Sequence, residues 1–279
     1  TSARHTREDF LTESLQGSVD LSVRQMCEAW RVLCRDAPGR RVSTADGIDY
    51  IFSGLPVAFF NVAVLTQPSI SASALRAFGH AAREWAAETP VPWFFVVTHD
   101  RIDPGVDVTA ILGDCGLGAA LPLTGMFATH VPPGASAPTD LQITVSGADA
   151  ECATLIDINS AAYEMDLEPA KAVLGKQAFW NDHVAVLGSV AGAPASGAAV
   201  LMVDGCRYVA LVATAPAQRR RGFAEAVMRR ALEVAASAHG DCPTVLHATD
   251  AGRPIYARMG YAPISTHTLF MDAALLGAH

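Results

Sequence analysis

Three consecutive arginines, Arg219, Arg220 and Arg221, stand directly before Gly222, Phe223 and Ala224. Guanidinium groups present forked donors that match phosphate oxygens. Gly222 has no side chain to block a close approach, and Ala224 is nearly as small. The elements on either side decide what these six residues can do. Tyr208–Thr214 is a short continuous apolar run that reads as a buried strand, and Pro216 ends it. From Gly222 to about His239, Ala224, Val227, Ala231, Val234, Ala235 and Ala238 recur every three or four positions, the period of a helix with one buried face, and Gly240 follows as a stop. The first N–H groups of such a helix lack intrahelical partners and carry the positive end of its dipole. A strand, a basic turn with small residues and a helix start together predict a pyrophosphate site. The competing reading, a basic helix start on a solvated face, suits an isolated arginine run better than one with this setting.

Further along, Thr244–Ala248 reads as a second strand, and Pro254 to Met259 as a short helix closed by Gly260. Tyr256 on that helix is a proton donor with an apolar body. Candidate bases are scattered: Glu164 and Glu168 on a helical stretch, His247 inside the second strand, Asp250 just after it, and His183 at a strand start. Cys27, Cys34, Cys115, Cys152, Cys206 and Cys242 form no C-x-x-C pair, so neither a zinc knuckle nor a redox dithiol is predicted. Such cysteines fit reduced thiols in a cytoplasmic protein. Trp30, Trp85 and Trp93 are expected to pack in the first half rather than line a pocket. Arg40-Arg41 reads as a solvated turn, and Cys242 as a capping or buried thiol.

Two of these motifs resemble the GCN5-related N-acetyltransferases. The family signature, Arg/Gln-x-x-Gly-x-Gly/Ala between its fourth strand and third helix, is matched by Arg219-x-x-Gly222-x-Ala224. Val212-Ala213-Thr214-Ala215-Pro216 resembles the strand-to-loop passage before it. Ile255-Tyr256-Ala257-Arg258-Met259-Gly260-Tyr261 is similar to the family's terminal Leu-Tyr-x-x-x-Gly-Phe. The resemblance implies acetyl-CoA or a related acyl-CoA as co-substrate, no metal, and a small amine as acceptor. Leu211, Val212, Thr214, Arg219, Arg220, Arg221, Gly222, Phe223 and Ala224 would bind the CoA. The backbone N–H of Val212 would receive the thioester oxygen, where a donor stabilises developing charge. Tyr256 would protonate the leaving sulfur, and Glu164 would border the acceptor. The alternative is a non-catalytic acyl-CoA sensor that kept the loop and lost turnover. A dimerisation scaffold would require the loop to be coincidental.

These elements recur across the chain. Val131-Pro132-Pro133-Gly134-Ala135-Ser136-Ala137-Pro138 can continue neither a helix nor a central strand. It predicts a first domain over 1–131, a linker at 132–138 and a second domain over 139–279. In the first half, Asn61–Pro68 repeats the strand-then-proline form. A helix from about Ala72 to Glu88 follows, then the strand Trp93–Thr98. Ile111–Leu117 aligns with Ile255–Tyr261. After Pro68 there is no arginine and no glycine, only Ser69-Ile70-Ser71-Ala72-Ser73, and Leu112 stands opposite Tyr256. The first half is therefore expected to be a degenerate copy that serves as scaffold or substrate wall. The implied fold class is α/β (α+β), with two GNAT-like domains, each a mixed, largely antiparallel sheet flanked by helices. With 279 residues, 51% of them apolar and 17% charged, the chain can bury two such cores. The net charge of −8 disfavours nucleic acid and favours a cationic partner such as an amine. No apolar run is long enough to span a membrane, and residues 1–25 show no signal-peptide core. A homodimer is left open.

Overall fold

The computed structural model describes residues 7–134 and 136–276, with side chains described from residue 16 onward. Ala135 of the expected linker, residues 1–6 and residues 277–279 lie outside the described residues. The first half runs α1 (Arg7–Leu33), β1 (Arg41–Ala45), β2 (Ile48–Phe52), β3 (Asn61–Leu65), α2 (Ala72–Ala87), β4 (Phe94–Thr98), α3 (Val108–Asp114) and β5 (Leu117–Ala128). The second runs β6 (Gln142–Val145), α4 (Asp149–Tyr163), α5 (Lys171–Leu174), β7 (Val184–Val190), β8 (Ala193–Val203), β9 (Cys206–Thr214), α6 (Phe223–His239), β10 (Thr244–Ala248), α7 (Arg253–Arg258) and β11 (Ala262–Asp272). No described helix is long and apolar enough to cross a membrane.

The strands form one mixed sheet in the order β1-β2-β3-β4-β11-β5-β10-β9-β8-β7-β6. Each half contains one parallel pair, β3 with β4 and β9 with β10, and the other neighbours are antiparallel. The middle of the sheet is where the halves meet. β11 of the second half pairs with β4 of the first, and β5 of the first half pairs with β10 of the second. Between them, β5 and β11 pair with each other, from Ala262↔Phe127 to Asp272↔Leu117. Each half thus lends its last strand to the other, and the halves share one continuous sheet.

Alternation along the strands feeds both faces. Val62 and Val64 of β3 face a core under α1, α4 and α5, while Ala63 and Leu65 face another under α2 and α3. A third core lies under α6, where Phe223, Val227, Met228, Ala231, Leu232 and Ala235 are buried against β7 to β10. The helix is thus held by its apolar stripe, at roughly 1.5–3 kcal/mol for each large side chain removed from water. Gly116 after α3 and Gly260 after α7 have φ of +77° and +96°, so both helices end in the left-handed conformation that glycine adopts freely.

Arg40-Arg41 departs from the solvated turn expected of it. Arg41 opens β1, lies over the Trp85 ring at 3.8 Å, and donates to the Trp85 carbonyl and the Thr89 hydroxyl at 3.3 and 3.2 Å. It also pairs with Glu88. Its fork closes the last turn of α2, a cation–π stack that charge counting along the sequence does not reveal.

Candidate active site

β9 is built to open the sheet. It pairs with β10 at only two positions, Thr244↔Arg207 and Val245↔Tyr208, and the two strands then part. On its other edge the register with β8 slips: Ala199 faces Ala210 and Gly197 faces Ala213. Leu211 and Val212 have no one-to-one partner: two residues of β9 stand against the single Ala198 of β8, and neither is paired with β10. Leu211 sits at φ +52°, a left-handed conformation rarely taken by a branched side chain. This is a β-bulge, which kinks a strand and ends its pairing. Helix α4 holds the kink in place: Asn159 Nδ2 donates to the Leu211 carbonyl at 3.2 Å, and the Tyr163 hydroxyl to the Val212 carbonyl at 2.8 Å.

The basic loop lies just beyond. Gly222, at φ +79°, is the residue before α6, and an added Cβ would meet nothing nearer than Pro138 Cγ at 3.8 Å. Glycine is therefore required here by backbone conformation, not by lack of space. Among the described residues the N–H groups from Arg220 to Glu225 donate to no acceptor; the first bonded amide is Ala226, to the Gly222 carbonyl at 3.1 Å. They form a row of free donors at the positive end of α6. The three arginines differ in use. Arg219 donates to the Ala162 carbonyl at 2.6 Å and ties the loop to the end of α4. Arg221 pairs with Asp140 and lies over the Phe223 ring at 4.6 Å. Arg220, exposed and at φ +63°, makes no side-chain hydrogen bond or ion pair among the described residues. It is the free cation of the three.

A cavity of about 770 Å³ runs along this loop, lined by Val212 to Thr214, Gln218 to Arg220 and Gly222 to Glu225 on one side and Thr249, Ala251, Gly252, Ile255 and Tyr256 on the other. A second cavity of about 270 Å³ continues from it; Tyr163, Val212, His247, Thr249 and Tyr256 line both. The Tyr256 hydroxyl has no hydrogen-bond partner among the described residues, and burial pushes its pKa up, so it is a protonated donor at neutral pH. Leu211, Val212, Thr214, Arg219, Arg220, Gly222, Phe223, Ala224 and Tyr256 thus border this connected space, while Arg221 braces it from outside. Glu164 lies elsewhere. It is exposed, caps α4 at φ +54°, and lines neither cavity.

Two groups of residues at the inner cavity were not legible in the sequence. Trp30 lines it, together with Leu33, Phe59, Phe60, Leu121 and Leu123, all from the first half. That departs from the purely structural packing expected of Trp30; only the strand exchange brings α1 to this wall. The other group is a buried polar chain across the seam between the halves. The Tyr208 hydroxyl bonds His247 Nδ1 at 2.8 Å, and His247 Nε2 bonds the Ser22 hydroxyl at 3.0 Å. Ser22 receives the Ser265 hydroxyl at 2.6 Å, and Ser265 and Thr98 hold the two nitrogens of His267 at 2.7 and 3.0 Å. Burial drives the pKa of His267 down to about 3 and that of His247 well below its ordinary value, so both rings are neutral. Of the earlier base candidates, only His247 reaches a cavity wall. His183 accepts the Met202 N–H at 3.2 Å, away from both cavities.

Residues 204–264 match the family described as the acetyltransferase (GNAT) domain. The matched stretch lies in the second half and contains the arginine loop, α6 and Tyr256. The whole chain also has the fold of solved GNAT structures. A GCN5-related N-acetyltransferase from Kribbella flavida is 21% identical with a TM-score of 0.65, over 90% of this chain and 95% of that one. A functionally unknown conserved protein from Staphylococcus epidermidis is 15% identical with a TM-score of 0.60, over 84% of this chain and 94% of that one. A tandem GNAT protein from the clavulanic acid biosynthesis pathway is 12% identical with a TM-score of 0.55, over 93% and 94% of the two chains. No curated protein matches the chain. The match to the GNAT domain supports acyl transfer from CoA in general, and the tandem neighbour has the same doubled fold.

Proposed function

We propose that this chain is an N-acyltransferase that moves an acetyl group from CoA to an amine by direct attack, with one CoA site per chain. The observation that carries this is the row of free amides from Arg220 to Glu225 at the mouth of a cleft that leads inward to Tyr256. The residues present suit the co-substrate. The amides and the free Arg220 would hold the pyrophosphate, and the parted edge of β9 at Leu211 and Val212 would pair with the extended arm. Bound acetyl-CoA supplies the activated carbonyl. Around it, the Val212 N–H would stabilise charge on the carbonyl oxygen, and Tyr256 would deliver a proton to the departing sulfur. No role is proposed for Glu164. The division into 1–131, a linker at 132–138 and 139–279 is kept as a proposal about sequence duplication, since the strands themselves cross that division.

Calorimetry with acetyl-CoA followed by a free-thiol assay against a panel of amines tests the proposal. Binding at one per chain with thiol release on at least one amine is expected. Binding without release on any amine would instead establish the sensor reading, and no binding would remove both.

A further inference from the structure

The inner cavity should show what enters it, because the groups on its walls must match the bound atoms. Among the described residues its lining includes no aspartate, glutamate, lysine or arginine. Trp30, Phe59 and Tyr208 form an aromatic wall, with ring centroids 5.1 and 6.5 Å apart, and the Trp30 N–H is already spent on the Phe59 carbonyl at 2.7 Å. They therefore present ring faces and edges. Leu123, Met165 and Leu246 complete the apolar surface. One polar atom stands out. Asn159 is 1% exposed and gives both amide hydrogens to the carbonyls of Leu155 and Leu211, at 2.9 and 3.2 Å. Its own carbonyl oxygen has no partner among the described residues, and the residue lines the cavity. An amide oxygen at a cavity wall can accept a hydrogen bond from whatever occupies the cavity.

From these walls we infer that the acceptor is an uncharged aromatic amine, its ring against Trp30 and Phe59 and an N–H directed to Asn159. This rests on the acyl-transfer reading above. An alkylammonium ion would enter a space with no carboxylate and a neutral His247, losing its hydration without a counter-charge. An aromatic amine delocalises its lone pair into the ring, is neutral at neutral pH, and needs no proton removed before attack. An apolar cavity of about 150 Å³ holds a benzene ring, so the 270 Å³ here takes a substituted ring. In the transfer itself the nitrogen lone pair forms the new C–N bond and the C–S bond breaks. The sulfur leaves with the Tyr256 proton; the surplus nitrogen proton goes to water, which restores Tyr256. The protein's overall charge of −8 therefore does not extend to this pocket.

The test is a comparison of 4-methylaniline with spermidine and lysine in the thiol-release assay, on wild type and on Met165→Glu. Met165 is half-buried on the cavity wall. Wild type should acetylate 4-methylaniline with a kcat/KM at least tenfold above that for spermidine or lysine. Met165→Glu should lower the aromatic kcat/KM about 10-fold or more while acetyl-CoA still binds as in wild type. Release with spermidine or lysine but none with 4-methylaniline would overturn the inference and leave acyl transfer standing. No release with any amine would remove both. A preference for octanoyl-CoA over acetyl-CoA that Met165→Glu abolishes would mean that the cavity holds the acyl chain, and would also overturn the inference.

Discussion

Helices α2 and α6 begin in the same place in the two halves, one turn after the first strand of a parallel pair, yet their first turns are treated in opposite ways. At α6 the preceding residue is Gly222 in a left-handed conformation, it offers no side-chain cap, and the amides from Arg220 to Glu225 stay free. At α2 the preceding residue is Ser71, whose hydroxyl accepts the Ala74 N–H at 3.3 Å. The strands differ in the same sense. β9 bulges at Leu211 and parts from β10, whereas β3 pairs with β4 through Val62↔Phe94, Ala63↔Phe95 and Val64↔Val96 without a slip. Beyond that, Ile70 bridges to Ile102 and is fully buried. Arg101 donates to the Thr66 carbonyl at 2.6 Å and pairs with Asp20 at 2.5 Å. The space that is a cleft in the second half is filled by side chains in the first. One framework yields a ligand site only where a bulge opens the strand pair and the helix start has no cap.

The strongest way to break that comparison is to make the α6 start resemble an occupied one. Gly222→Glu puts a carboxylate where the amides point and a side chain at φ +79°, which costs about 1–3 kcal/mol in strain. Repulsion of phosphate adds to this. Acetyl-CoA affinity should fall about 100-fold or more, equivalent to about 2.7 kcal/mol. Calorimetry reads it directly, and unchanged affinity would mean that the free amides are not the CoA site.

The second difference is Tyr256 against Leu112 at the aligned position. Leu112 is fully buried in the first-half core, whereas Tyr256 borders both cavities with its hydroxyl unengaged. Tyr256→Phe keeps the ring and removes the proton. Turnover should drop by about 10²-fold or less, with acetyl-CoA binding nearly intact. Full activity in this variant would assign the proton to another donor.

Much of this arrangement was legible before any coordinates. The helix expected from Gly222 to about His239 is found over Phe223–His239, and the strand expected over Tyr208–Thr214 over Cys206–Thr214, because a 3.6-residue apolar stripe and a proline stop are local signals. The repeat was legible for the same reason, down to the glycines at 116 and 260. What was hidden is non-local. Nothing in Leu117–Ala128 or Ala262–Asp272 states which half each strand will join, since register is fixed by pairing partners and not by composition. Trp30 at the inner cavity and the chain from Tyr208 to Thr98 both depend on that exchange. Leu211 was expected at the site, but its bulge was not, because the slip against β8 exists only in the paired sheet.

The seam created by the exchange gives a smaller, pH-dependent effect that neither half would show alone. His267, with a folded pKa of about 3 against an ordinary 6.5, is held neutral mainly by burial; Asp100 opposes that shift, and Arg101 and His99 add to it. His247 is lowered by burial and by His267, and His183 is lowered to about 4, by burial and then Arg35. Each is neutral when folded and takes up a proton on unfolding below about pH 6.5. Their stabilisation is therefore complete above that value and is lost as pH falls toward the folded pKa values. Stability should decline by about 1.4 kcal/mol per pH unit for each such histidine through this window. Urea unfolding at pH 7, 6 and 5 measures the slope; a flat profile would mean that these rings are solvated and that the seam is loose.

The smallest expected effect tests the filled counterpart itself. Ser71→Ala removes the hydroxyl that caps α2 and leaves the backbone carbonyl of residue 71 bonded to the Leu75 N–H, at 2.9 Å. If the first-half start is purely structural, the loss is the ordinary one for a cap, about 1 kcal/mol. Acetyl-CoA should still bind at one per chain with unchanged affinity, because freeing the Ala74 amide does not open β3 from β4 or move Ile70 from its bridge. A second binding event in this variant would show that the cap alone, and not the unbroken strand pair, keeps the first half empty. The expected result separates the two causes: stability falls slightly, stoichiometry stays at one, and the bulge at Leu211 remains the feature that makes a cleft.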